Sequence, residues 1–461
     1  MSAMHVPVPN SLLPFWRTEP HPLDNHRSTE SLPEHCDIVI IGAGYAGASV
    51  AYHLLNQSKP DSPPLSITIL EAREACSGAT ARNGGHLKPD LFNHIATVAA
   101  EYGVDAAAEI AAFEADHVQA IKDLVEQENI DCDYIVTKAM DVQLNEGHFQ
   151  KLKDGHERLV AGGCSPSTRV QTITPGEAET VSRVKDAVGC FVYEAGHIWA
   201  YKLVLHLLKR SVERGVNLQT QTPVTKIAKS TDPTHRWRVD TSRGAMAAKV
   251  VVLATNAYTS AIAPQYQDKI IPVRGTCVRI AVRTGCTASR LTHTYILRRN
   301  GWDYDYLIPR DDGSIVVGGA RSAFIQDEKN WYNVSDDSQV LEPAVRYFDH
   351  YMQRNFLGWE NSQAYTDRAW TGIMGYSTDG LPHLGQVPGQ DGQYILAGFT
   401  GHGMPQVFLA AKGIARMVVE GVEYEATGLP RLFQTNACRV ASRRNNILEN
   451  TPRDRASETQ V

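Results

Sequence analysis

Between residues 36 and 91 the apolar positions fall in short unbroken runs rather than in alternation. Cys36-Asp-Ile-Val-Ile-Ile41 and Leu65–Leu70 predict strands covered on both faces. Between them Gly42–Gly47 predicts a tight turn, Ala48–Leu55 a helix and Pro60–Pro64 a surface loop. Residues 92–128 carry helical periodicity, broken near Gly103. Tyr201–Arg214 predicts a further helix with Leu203, Leu207, Leu208 and Val212 on one face. Strands follow at Asn217–Thr220, Trp237–Thr241 and Lys249–Ala254. Alternation then takes over across Ile270–Ile280, Thr294–Pro309 and Ser314–Gly318, the mark of an antiparallel sheet. A helix over Pro343–Phe356, a strand Tyr394–Ala397 and a helix Pro405–Glu420 complete the pattern.

Parallel-type strands recur early, in the middle and late, with antiparallel segments between them. The fold expected is α/β: a discontinuous Rossmann-type domain over residues 36–91, 197–269 and 365–434, with a helical and antiparallel-sheet substrate domain over 92–196 and 270–364. Residues 1–35 read as an extended Pro-rich arm and 435–461 as a polar, largely disordered tail.

The turn Gly42-Ala43-Gly44-Tyr45-Ala46-Gly47 matches G-x-G-x-x-G between a strand and a helix, and the next strand ends at Glu71. Gly42 makes the turn, Gly44 lets backbone approach a pyrophosphate, and Gly47 lets helix and strand pack closely. The helix N-terminus offers free N–H groups to phosphate, and Glu71 suits the ribose hydroxyls of a cofactor without a 2′-phosphate. NAD and FAD both satisfy this turn.

Composition narrows the rest. The 461 residues are 43% hydrophobic with a net charge of −6, and no basic run points to nucleic acid or an anionic membrane. Eight scattered cysteines form no CxxC pair, so neither a metal site nor a redox dithiol is expected, and the thiols read as free. With no signal-peptide pattern, no bilayer-length apolar run and a Glu458–Val461 end unlike a peroxisomal tripeptide, the expectation is a cytoplasmic enzyme.

The block Cys76-Ser-Gly-Ala-Thr-Ala-Arg-Asn-Gly-Gly-His86 separates NAD from FAD, because it suits a second phosphate contact and a flavin edge. With Ile130–Tyr134, Gly196–Ile198, Val252–Tyr258, Trp370–Gly372, Gly380–Gly385 and Gly398–Gly403, it resembles the FAD-dependent D-amino-acid-oxidase-like superfamily over residues 36 to 430. The motifs look closest to the gamma-glutamylputrescine oxidase branch. The resemblance implies FAD contacts at Gly42–Gly47, Glu71, Ala72, Arg73, Gly78, Ala79, Thr80, Arg82, Asn83, Gly84, Gly85 and His86. It extends them to Val224, Thr255, Asn256, Gly372, Gly401, His402, Gly403 and Met404. Arg82 is expected on the cofactor phosphate. Pro405 is expected in the first turn of the last helix, whose positive end would face the flavin.

The same resemblance implies oxidation of an amine or amino acid derivative to an imine by hydride transfer to the flavin, with dioxygen reoxidising it to release peroxide. A dehydrogenase using another electron acceptor and a flavin-binding module without turnover stand as alternatives. Relatives in the sarcosine-oxidase group hold FAD through a cysteine before the late loop; Trp370–Leu384 contains none, so noncovalent FAD is expected. Those relatives also carry a lysine after the Gly-His-Gly triplet, where Met404 and Pro405 stand here, and one over the flavin, where Ser314–Gly319 has none.

For the substrate side, Trp302, Tyr304 and Tyr306 alternate and would share one strand face, as an aromatic wall or as plain core. His402 would polarise the flavin or touch substrate, and Trp370 would line the pocket. Arg310 and Arg321 are reserve partners for an anionic substrate group, with surface pairing as the plainer reading of each.

Overall fold

The computed structural model describes residues 5–57 and 63–451, so part of the 60–64 loop and the Glu458–Val461 end lie outside the described residues. The strand His35–Ile41 sits at the centre of the first sheet, parallel to Gly244–Leu253 on one side and Ile67–Leu70 on the other. Gln393–Ala397 and Asn217–Gln219 extend it in parallel, His383–Gln386 closes one edge, and the hairpin Val224–Lys229/Trp237–Thr241 joins Gly244–Leu253. Its apolar runs are covered on both faces. The helix Tyr45–Gln57 packs on one face between Val407–Glu420 and Ala200–Glu213.

The second sheet has nine strands and is antiparallel except where Thr294–Arg298 runs parallel to Ile135–Gln143. The strand Ile270–Ala281 pairs with both Tyr365–Ser377 and Ile315–Gly318. Tyr365–Ser377 therefore belongs to this sheet, and the third Rossmann segment begins after Ser377 rather than at 365. The predicted break at Gly103 is present, between Asn93–Tyr102 and Val104–Glu128, with Gly103 at φ +91°. These two helices were expected in the substrate domain, yet Val104–Glu128 packs against Val407–Glu420, and one apolar core runs through both.

Three further expectations are corrected. Pro343–Phe356 is two short helices, Glu342–Tyr347 and Tyr351–Asn355, parted by His350 at φ +54°. The N-terminal arm is packed, not merely extended: Phe15 and Trp16 are buried in the main core, and the Trp16 indole donates to the Asn83 carbonyl at 2.7 Å. The polar tail is ordered through residue 451, with helices Ala437–Ala441 and Asn446–Glu449 and Ile447 in the second core. Arg439 anchors it, donating to Asp379 at 2.7 and 3.0 Å and to the carbonyls of Leu381 and Pro382.

Burial works against the charged form of Asp379, but the Arg439 hydrogen bonds and charge outweigh it and hold the carboxyl well below its usual range. A depressed carboxyl contributes stability above its unfolded pKa of about 4, which is lost as pH falls through the lower folded value. Arg439→Ala is expected to cost about 3 kcal/mol in urea unfolding at pH 7, with a smaller penalty at pH 3, where protonation of Asp379 in the unfolded chain has removed part of the pair's contribution.

Candidate functional site: a cavity between the two sheets

A cavity of about 750 Å³ lies where the sheets meet, within the range of cofactor sites. Gly42 has φ +108°, and a Cβ there would stand 2.6 Å from the Ala254 carbonyl oxygen. A Cβ on Gly47 would stand 1.8 Å from the Gly42 carbonyl oxygen, so only glycine permits the helix to approach the strand. Glu71 braces the turn, accepting from the Ala43 amide at 2.8 Å and the Arg73 amide at 3.0 Å, while itself lining the cavity. The Tyr45 amide donates to Thr80 Oγ1 at 3.1 Å. Among the described residues the amides of Gly44 and Ala46 have no acceptor, which leaves donors at a helix N-terminus beside the cavity.

The Cys76–His86 block forms the adjoining wall, and Arg82 within it is held by partners in the protein. Its guanidinium donates to the carbonyls of Ser77, Thr371 and Leu12 at 2.8, 2.9 and 2.7 Å, and its Nε lies 3.2 Å from Asp337. Each nitrogen has a partner inside the protein, so Arg82 ties the wall together while also lining the cavity. Arg73 also lines the cavity and pairs with Asp337 at 2.9 and 3.1 Å. Ala72, Gly78, Ala79, Thr80, Asn83, Gly84, His86, Val224, Thr255, Asn256 and Gly372 all lie on the wall. Ala43, Gly47 and Gly85 lie behind it; Gly85 faces Ile308 and Trp16. His86 is held neutral, its pKa pushed far down by burial and by Lys88.

The late loop closes the far end. The Asn256 carboxamide oxygen accepts from the Gly398 amide at 2.9 Å, and Gly401 stands at φ +77°. Gly401, His402, Gly403 and Met404 all reach the cavity. The last helix starts at Val407, so Pro405 sits in the preceding turn, outside the first helical turn. His402 Nε2 is 2.8 Å from Glu114, whose other oxygen accepts from Gln406 at 2.6 Å. Burial lowers the pKa of His402, but the Glu114 charge and hydrogen bond outweigh it and raise it overall.

Tyr304 and Tyr306 point into the cavity from the strand Tyr304–Pro309, and the Asp305 carboxylate turns the other way to accept from Tyr347, Tyr351 and Arg299. Trp302 precedes that strand in the connecting turn and packs on the second core, so the wall holds two of the three expected rings. Trp370 is fully buried away from the cavity, its indole donating to the Arg82 carbonyl at 2.9 Å. Arg310 pairs with Asp133 at 2.7 Å over the Trp16 and Trp199 rings, off the cavity, whereas Arg321 lies on its wall. Sequence reasoning missed Lys88, Arg274, Met374, Tyr376 and the arm residues His5, Val6, Pro7 and Pro9, all of them wall residues. Lys88 was within reach, two residues beyond His86 on the same strand direction; the arm was hidden by its unremarkable composition.

The two glycine turns, 42–47 and 398–403, thus open on one cavity long enough to take a dinucleotide. Comparison with known proteins agrees. The model of the DAO family, described as FAD dependent oxidoreductase, matches residues 37–417. The chain belongs to this family. It is 23% identical over 386 residues to the gamma-glutamylputrescine oxidoreductase of Escherichia coli (strain K12), covering 83% of each chain. The glycine oxidase structure from Geobacillus kaustophilus superposes with a TM-score of 0.66 at 21% identity, covering 85% of this chain and 96% of that one. L-proline dehydrogenase from P. horikoshii gives 0.67 at 20% identity, covering 87% and 98%. The fold is that of these flavoenzymes and the cofactor is FAD. Among the described residues no helix is long and apolar enough to cross a membrane.

Two outcomes follow for this FAD-dependent oxidoreductase. Gly47→Ala is expected to give protein that retains no flavin after gel filtration, read from its visible absorbance. The His402–Glu114 pair raises a histidine pKa, so its contribution is complete below the unfolded value of about 6.5 and is lost as pH rises through the folded one. Thermal melts of His402→Gln against wild type are expected to differ most below pH 6 and to converge above pH 9.

Proposed function

We propose that the enzyme oxidises the C–N bond of an amine or amino acid derivative to an imine, with dioxygen as the terminal acceptor and hydrogen peroxide as the second product. When bound, FAD supplies the hydride acceptor. The observation that carries this reading is the region beyond the late loop, where Tyr304, Tyr306, Met374 and Tyr376 enclose one end of the same cavity. Those side chains would exclude water and position an amine-bearing carbon when FAD is bound. Burial keeps the Tyr306 phenol protonated, its pKa far above the usual value, so its hydroxyl is available as a hydrogen-bond donor. Neither histidine is a free base: His86 is buried and His402 is tied to Glu114. No protein base is required if the substrate amine enters neutral.

The gamma-glutamylputrescine oxidoreductase and the glycine oxidases among the relatives point to the same chemistry, since each is named for an amino compound. The cavity-wall thiol Cys277 is pushed up to about 12 by burial, which removes its reactive thiolate and favours noncovalent FAD. Anaerobic addition of primary, secondary and N-methyl amines is expected to bleach the flavin for at least one class, and air to restore the colour with one peroxide per turnover. Bleaching that only a dye reverses would transfer the reading to a dehydrogenase, and no bleaching by any amine would end it. Acid precipitation is expected to leave all the yellow colour in the supernatant.

A further inference from the structure

Lys88 follows the short strand His86–Leu87. Leu87 is fully buried in the main core, so alternation turns His86 and Lys88 the other way, and both line the cavity. Three carboxylates lie near enough to act on the Lys88 ammonium, those of Asp141, Asp90 and Glu114. Each already has other partners. Asp141 takes a two-point bond from Arg298 at 3.0 and 2.9 Å. Asp90 accepts the backbone amides of Phe92, Asn93 and His94 at 3.1, 2.9 and 2.9 Å. Glu114 holds His402, Gln406 and the Asp90 amide.

Among the described residues Lys88 itself makes no hydrogen bond or ion pair. A cation removed from water without a hydrogen-bonded partner is costly, and Lys88 borders the cavity, where a ligand could supply one. Burial accordingly lowers its pKa, and an anion entering the cavity would favour the charged form.

We infer that Lys88 is the residue that selects an amine substrate carrying a carboxylate, by pairing with that carboxylate inside the cavity. This rests on the reading of the cavity as the site of amine oxidation, and it assigns to one side chain a preference that the aromatic wall cannot supply. The Tyr304, Tyr306 and Tyr376 rings and Met374 suit the aliphatic part of such a molecule, with Lys88 as its charged end-stop. Arg274, whose guanidinium donates to the Gln339 carbonyl, and Arg321 are wall cations that also form no ion pair among the described residues; Arg321, beside Trp331 at 5.9 Å from its ring, is the control.

The test uses FAD-loaded wild type, Lys88→Met, Lys88→Arg and Arg321→Met, each first shown to keep an unchanged flavin spectrum. Straight-chain carboxylates from acetate to hexanoate, and the matching neutral amides, are titrated against the flavin absorbance of the resting enzyme. The expected result is carboxylate binding in wild type that weakens about 30-fold or more in Lys88→Met, recovers in part in Lys88→Arg and holds in Arg321→Met, with amide binding the same throughout. In turnover, Lys88→Met is expected to raise KM for 6-aminohexanoate and to leave n-hexylamine unchanged. Equal binding of acids and amides by wild type, or a loss confined to Arg321→Met, would overturn the assignment. Because carboxylate binding is read without turnover, it stands or falls separately from bleaching by amines.

Discussion

One buried carboxylate, Asp337, holds two guanidiniums at once, those of Arg73 and Arg82. The side chains of all three are nearly inaccessible, at 1%, 6% and 1%. Removing one partner from such a group leaves an uncompensated buried charge, a loss of about 3–5 kcal/mol. Complete, it joins parts of the chain that are far apart. Arg73 leaves the end of the second Rossmann strand and reaches the Val8 carbonyl; Arg82 reaches Leu12 in the arm and Thr371 in the second sheet; the Leu12 amide returns to the Asp337 carbonyl.

The rest of the site follows from the wall so fixed. Gly42 and Gly47 bring helix and strand to a distance no other residue allows, which sets the amides at the cavity edge. Asn256, itself at φ +42°, reaches across to the Gly398 amide and locks the late loop to the first sheet. Glu114 then fastens His402 from a helix that sequence order places nearly three hundred residues away. The flavin end of the cavity is therefore assembled from both sheets and from Val104–Glu128, and no single segment carries it.

Local signals were legible in the sequence, and long-range ones were not. The glycine turn, the acidic end of the second strand, the break at Gly103 and the alternation of Tyr304 with Tyr306 depend only on neighbours along the chain. Trp370 was placed by its motif on the pocket, but its tertiary partner, the Arg82 carbonyl, holds it off the cavity, and the partners of Arg82 at Asp337, Leu12 and Thr371 were equally invisible to the motif. The tail misled for the same reason: polar composition suggests disorder, while Arg439 finds buried acceptors at Asp379 and Leu381 that no local pattern announces. Lys88 is the instructive omission, because its significance lies in the partners that its neighbours deny it.

Two distant glycine turns holding opposite ends of one dinucleotide must favour a cofactor that has both ends. The most direct measurement is equilibrium titration of flavin-free protein with FAD and, separately, with FMN, which lacks the adenylate half. One FAD per chain is expected, bound far more tightly than FMN. Equal affinity for the two, or no restoration of flavin absorbance by FAD, would contradict it.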